Sequence, residues 1–213
     1  MSAMDPDKQG LSGQRTKSSR IKVLDRKLLS QQWGTLESVT LDYQHSDGSW
    51  RTQKREIYDH GHGAAVLLFN RVLRKIVLIR QFRFPVWDIG GDGFILEVPA
   101  GIVESDNAHE TIRNETVEET GFIIDEPQLL FKAYASPGSV TEQVYYFIAE
   151  YQPDMRAGTG GGLVEEGEDI QVLEVDIDEA YAWLGEGKIT DAKTIILIQY
   201  AKLNLFTSVG PIR

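Results

Sequence analysis

The chain has 213 residues, 41% of them hydrophobic and 25% charged, with a formal charge of -10 and no cysteine. That length and apolar share allow one good-sized core with a small appendage, and the missing thiols exclude disulfides, thiolate metal sites and a cysteine nucleophile. The acidic balance argues against non-specific nucleic-acid or anionic-membrane binding, so an anionic ligand would need locally placed Arg or Lys, or a metal ion.

Residues 1–20, MSAMDPDKQGLSGQRTKSSR, lack the apolar stretch of a secretory signal and read as a disordered tail. No segment offers the run of about eighteen apolar residues that a membrane helix needs. The lack of cysteine fits a reducing cytoplasm, the expected location. Residues 21–60 form a first unit. They alternate from KVLDRKLLS to LDYQ, turn at HSDGSW and resume in RTQKREIYDHG. This predicts a two-stranded antiparallel hairpin closed by a Ser-Asp-Gly turn. Such a unit buries little by itself, so it is expected to pack on the main domain or on a second copy of the chain.

Residues 61–210 form the main domain. GAAVLLFN and KIVLIRQFRF are strand-like runs around the polar turn RVLR, and ILEVPAG is a third strand ending in a turn. A helix follows over residues 106–120, with Asn107 and Glu110 spaced as a capping box and Gly121 as its stop. QLLFKAYASPGS and EQVYYFIAEY read as two strands around a Ser-Pro-Gly turn. The Gly-rich acidic loop RAGTGGGLVEEGED leads to the strand IQVLEVDI and then to the helices DEAYAWLGEGK and DAKTIILIQYAKLNLF. Strands and helices that alternate irregularly across short turns predict a mixed sheet between helices, an α/β/α sandwich.

The helix over 106–120 carries the chemistry. Ala108, Ile112, Glu115 and Glu119 fall on one stripe, which begins apolar and becomes acidic, with Glu118 on its flank. Carboxylates at the edge of a buried face are costly unless a cation meets them, and hard oxygens at this spacing suit Mg2+ or Mn2+. A solvated helix pairing its acids with Arg113 and Lys132 fits the same residues. On a strand, Arg80 and Arg83 point to opposite faces, so at most one obviously faces this site. His60 and His62 read as turn residues.

Read whole, GIVESDNAHETIRNETVEETGF resembles the Nudix box, G-x5-E-x7-R-E-U-x-E-E-x-G-U with U apolar, at Gly101, Glu115, Glu118, Glu119, Gly121 and Phe122. It departs in three ways: one residue is missing between the glycines, Asn107 stands for the first Glu, and Asn114 replaces the Arg, with Arg113 one step earlier. The shortened box, together with KREIYDHGHGAAVLL, VLIRQFR, YASPGSVTE, GTGGGLVEEGEDI and GKITDAKTIILIQY, is similar to the GDP-mannose and ADP-ribose pyrophosphatase branch of the Nudix hydrolases. The likeness spans most of residues 21–206.

The resemblance implies a Nudix α/β/α sandwich with a small N-terminal antiparallel β unit exchanged between subunits of a homodimer. It implies Mg2+-dependent hydrolysis of a nucleotide sugar, GDP-mannose to GMP and mannose 1-phosphate. ADP-ribose hydrolysis and a non-catalytic nucleotide-binding module are the alternatives. By the same likeness, Ala100 (through its carbonyl), Glu115, Glu119 and Glu168 hold metal, and Glu118 is a third ligand or supports one. Glu166 is the general base, on a loop whose glycines let it close as a lid. Arg55, Arg80, Arg83, Ser136, Gly138, Asp191 and Lys193 are implied substrate contacts, with Arg80 favoured over Arg83 for phosphate and Arg55 reaching across from the partner. Asp191 is equally a plain helix N-cap.

Overall fold

The structure is a computed structural model that describes residues 17–103 and 107–207; the first sixteen positions of the expected tail lie outside them. The chain divides into two compact units at Asp59/His60.

The N-terminal unit is a three-stranded antiparallel sheet in the order β1 (Ile21–Gln31), β2 (Thr35–Gln44), β3 (Trp50–Asp59). The expected hairpin is the β2–β3 pair. Its turn forms as read, with Asp47 Oδ1 accepting from the Ser49 amide at 2.9 Å and Gly48 at φ +84. The run from KVLDRKLLS to LDYQ, expected to be one long strand, is two, folded back at Gln32–Gly34. Gly34 allows it, because a Cβ there would lie 2.7 Å from the Asp59 carbonyl oxygen. β1 is exposed along its whole length and carries Ile21, Val23, Leu24, Leu28 and Leu29.

The second unit holds a seven-stranded sheet. Its strands are β4 (Gly63–Asn70), β5 (Lys75–Phe82), β6 (Phe94–Glu97), β7 (Ala100–Ile102), β8 (Gln128–Tyr134), β9 (Gln143–Glu150) and β10 (Gln171–Asp176). The order is β10-β5-β4-β9-β8, with β6 on β5 and β7 on β4. β4 and β9 run parallel and the other pairs are antiparallel, so the sheet is mixed as expected.

Period-two alternation sorts the core. Ala65, Leu67 and Phe69 face one side with Ile177, Ala180, Leu197, Ile198 and Ala201, whereas Ala64, Val66 and Leu68 face the other with Ala108 and Ile112. Helix α2 (Ala108–Thr120) therefore covers one face, and α3 (Ile177–Gly185) with α4 (Ala192–Asn204) covers the other. The run KIVLIRQFRF is strand as far as Phe82, and a short helix, α1 (Phe84–Asp88), begins at its last residue. Pro85 in its first turn has the fixed φ a helix start needs.

β4 and β5 pair only at Leu68–Asn70, and elsewhere β6 and β7 take their free edges. The chain crosses from the β5 edge to the β4 edge at Val98–Pro99. Pro99 has no N–H to lose there, and its carbonyl accepts from the Val66 amide at 3.0 Å. This crossing positions the site.

Candidate active site

α2 begins at Asn107, whose side chain accepts from the Glu110 amide at 3.3 Å and also donates to the Glu110 carboxylate at 3.1 Å. It ends at Gly121, left-handed at φ +77. Between these caps Ala108, Ile112, Thr116, Glu119 and Thr120 are buried and Glu115 is half-buried. The stripe therefore turns inward as read, with two threonines beside it whose hydroxyls donate back to the helix carbonyls of Ile112 and Thr116.

Both inward carboxylates meet the turn after Pro99. Glu119, 2% exposed, accepts from the Ala100 amide through Oε2 at 3.0 Å. Glu115 lies over Gly101, where a Cβ would stand 1.8 Å from its Oε1. The contact with Ala100 that ties down Glu119 is through the amide, not the carbonyl expected to serve as ligand. Glu168, half-buried, accepts from the Leu163 amide at 2.9 Å. Burial pushes the Glu119 carboxyl well above the ordinary carboxylate range. The charges of Glu115 and Glu168 push the same way, against the Ala100 amide and the Arg83 guanidinium.

The charges of two acids, Glu115 and Glu168, thus reach a third, the buried carboxylate of Glu119, a set of hard oxygens whose crowding a divalent cation would relieve. Among the described residues, no group of three or more His, Asp or Glu side chains is arranged to hold a metal ion unaided. An ion such as Mg2+ does not require one, since it keeps several waters and completes its shell with substrate phosphates. Glu119 and Glu115, both against Ala100–Gly101, would offer it two carboxylates.

Glu118 is exposed on the flank of α2, and its carbonyl accepts from the Gly162 amide at 3.1 Å. The Gly-rich loop expected to close as a lid is stitched to the end of α2 in this structure. Gly161 donates to the Glu119 carbonyl at 3.0 Å, and Ala157 and Gly158 donate to that of Gly121 at 2.8 and 3.2 Å. Its glycines permit close approach: a Cβ on Gly160, at φ +66, would meet the Glu119 carbonyl oxygen at 2.4 Å. Glu166 ends the 3-10 turn Val164–Glu166, and its side chain lies outside what is described.

Of the two arginines, Arg83 joins this neighbourhood: its charge is felt at Glu119, and its Nε donates to Glu97 Oε2 at 2.8 Å. Arg80, the one favoured from sequence, lies over the Phe94 ring at 4.5 Å and 3.9 Å from Asp92. Arg83 lies past the end of β5, as the N-cap residue of α1, so strand alternation does not govern where it points. Lys193 donates to Glu97 Oε1 at 2.5 Å and lies 3.1 Å from Asp191 Oδ1. Asp191 is the N-cap of α4, with Oδ2 accepting from the Thr194 amide at 3.0 Å.

Ser136 and Gly138 sit in an exposed turn, where the Ser136 carbonyl accepts from Ser139 and Val140 at 3.2 and 3.1 Å. Arg55 is exposed on β3 and donates to the Lys54 carbonyl at 2.9 Å and to Gln53 Oε1 at 2.5 Å. No motif in the sequence marks Glu97. A lone acid in ILEVPAG has strand spacing like any other, and only its position before the Pro-Ala-Gly turn hinted at the site.

A NUDIX domain model matches residues 59–196. The chain belongs to the NUDIX family. Residues 20–58 match the model described as GDP-mannose pyrophosphatase NudK N-terminal domain. Proteins named GDP-mannose pyrophosphatase are similar over almost their whole length. That of Pectobacterium atrosepticum is 44% identical over 185 residues, 86% of this chain and 95% of that protein. Those of Enterobacter sp. strain 638 and Yersinia pestis strain Pestoides F are 44% and 43% identical, over 88% and 90% of this chain and 97% and 96% of their own. NUDIX hydrolases generally use divalent metal ions, which agrees with the acidic neighbourhood beside α2.

Proposed function

We propose that this NUDIX protein hydrolyses the diphosphate bond of a nucleotide sugar, turning GDP-mannose and water into GMP and mannose 1-phosphate, with Mg2+ as its metal. One observation carries the reading. Glu115 and Glu119 converge on Ala100–Gly101, with Arg83 beside them, in a chain 44% identical to proteins named GDP-mannose pyrophosphatase.

Glu115, Glu119 and Glu168, with the Ala100 carbonyl, would hold the ion, and Glu118 on the flank would be a further ligand or orient one. When bound, a divalent ion supplies charge neutralisation at the diphosphate and a water of lowered pKa. Arg83 and Lys193 bind and orient the phosphates. Arg80, Asp191, Ser136 and Gly138 border the substrate, and Arg55 reaches it from a partner. Glu166 takes the proton as the water oxygen bonds to phosphorus and the bridging P–O bond breaks, the bridging oxygen leaving on the second phosphate.

The exposed apolar strand β1 supports a homodimer with exchanged N-terminal sheets. The lack of cysteine agrees with work in the cytoplasm. The test is release of GMP and mannose 1-phosphate from GDP-mannose, in a panel of nucleoside diphosphate sugars with and without EDTA. A preference of about tenfold or more for ADP-ribose, some 1.4 kcal/mol at the transition state, would overturn the substrate. Turnover undiminished by EDTA would overturn the metal.

A further inference from the structure

Glu97 is 3% exposed at the end of β6, and a carboxylate so buried is costly without partners. It has two, one on each oxygen: Arg83 Nε at 2.8 Å and Lys193 Nζ at 2.5 Å. The two cationic nitrogens therefore lie no further apart than one carboxylate and two hydrogen bonds allow.

Arg83 is anchored by its inner nitrogen, while its side chain remains 40% exposed. Among the described residues, neither terminal nitrogen of its fork has a hydrogen bond. The Lys193 ammonium has three donors and two carboxylate neighbours, Glu97 and Asp191. Both cations are thus held with donors to spare: the Arg83 fork keeps the planar edge that bidentate phosphate recognition uses, and the Lys193 ammonium adds a point charge beside it.

The same stretch of chain sets the distance from these cations to the acidic helix. The Val98 amide donates to Thr194 Oγ1 at 2.8 Å, which seats the first turn of α4 and so Lys193. Two residues on, the Ala100 amide holds Glu119.

We infer that Glu97 is a positioning residue: one buried carboxylate that fixes Arg83 and Lys193 side by side as a two-cation seat for the diphosphate of the substrate. This rests on the diphosphate-hydrolase reading above. Glu97 does not touch the reacting atoms; it acts through the two cations. A carboxylate that merely neutralised them would weaken anion binding by its charge, so its removal would tighten binding. One that positions them has the opposite sign, because two long, freed side chains must be ordered again by the ligand.

The sign can be read with methylenediphosphonate, a non-hydrolysable diphosphate, titrated calorimetrically into the full chain with Mg2+. Glu97→Gln is expected to weaken its binding by about tenfold, and Glu97→Asp, which keeps the charge but shortens the reach, by about threefold. In an Arg83→Gln background, Glu97→Gln should add no more than about twofold, because its partner is already gone. Binding of both Glu97 variants that is unchanged or tighter than wild type would overturn the inference, as would fully additive losses. Should Glu97→Gln fail to fold, Glu97→Asp alone decides. A chain that turns over no nucleotide sugar yet loses diphosphonate binding in this pattern refutes the substrate reading and leaves the seat standing. Normal GDP-mannose turnover with unaltered kcat/KM and diphosphonate binding in Glu97→Gln does the reverse.

Discussion

The carboxylate of Glu115 rests on the bare α-carbon of Gly101, in space that a single methyl group would take. The obstructed atoms belong to the end of a flexible side chain, so Gly101→Ala should fold and simply push Glu115 aside. The expected result is a thermal midpoint close to wild type with kcat/KM lower by about a hundredfold, the cost of misplacing one group by about 1 Å. Unfolding scans and steady-state kinetics on the same preparation check it.

Glu119→Gln separates function from stability in the other direction. The amide oxygen still accepts from the Ala100 N–H, while the buried charge crowded by Glu115 and Glu168 is gone. Activity should fall by at least about a hundredfold, as when a charge-stabilising group is lost. The metal-free variant should unfold at or above the wild-type temperature. A near-normal rate would remove Glu119 from the chemistry.

The raised Glu119 carboxyl also gives the metal-free protein a pH signature. The folded state holds this proton more tightly than the unfolded chain does. Its contribution to stability is therefore complete below the unfolded carboxylate range and is lost as pH rises through the higher folded value. In EDTA, stability should decline across that window, and Glu119→Gln should lack that part of the decline. Mg2+ should flatten it, by favouring the ionised form. Chemical unfolding curves at a series of pH values, with and without metal, measure all three.

The arginines give a paired comparison. Arg83→Ala removes the guanidinium anchored on Glu97 and should lower kcat/KM by about tenfold to a hundredfold, as expected for lost charge-assisted hydrogen bonds. Arg80→Ala removes a partly exposed side chain lying on Phe94 and should change it by less than about threefold, in line with surface contacts. Equal losses would contradict the assignment of Arg83 to the site.

Gly160 tests the stitched loop. Its left-handed backbone, and a Cβ that would meet the Glu119 carbonyl at 2.4 Å and the Thr120 carbonyl carbon at 2.5 Å, leave no flexible atom to give way. Gly160→Ala should cost about 1–3 kcal/mol of stability. Faster hydrogen exchange at the amides of Gly161 and Gly162 should accompany that loss.

Much of this was legible in the residues. The inward stripe of α2 could be read because apolar and acidic positions share one helical period, and its caps because Asn107 and Gly121 each have one plain job. The sheet followed from alternating runs such as GAAVLLFN. The fold-back at Gln32–Gly34 was hidden, since its one glycine serves a close approach to Asp59 that only the paired strands reveal. The loop glycines at 158–162 suggested mobility, whereas three-dimensional crowding against the end of α2 gives them a packing reason. Glu97 was invisible for a related cause. Its partners lie 14 and 96 positions away, and no local pattern joins them.

From Glu97 to Ala100, four consecutive residues hold Arg83 and Lys193 through the Glu97 carboxylate, the first turn of the last helix through the Val98 amide, and the acidic helix through the Ala100 amide. Because no residue of that piece can shift without dragging a different neighbour, divergence among descendants of such a chain is channelled outward. Substitutions should be tolerated better in exposed turns such as Ser136–Gly138 than within that piece.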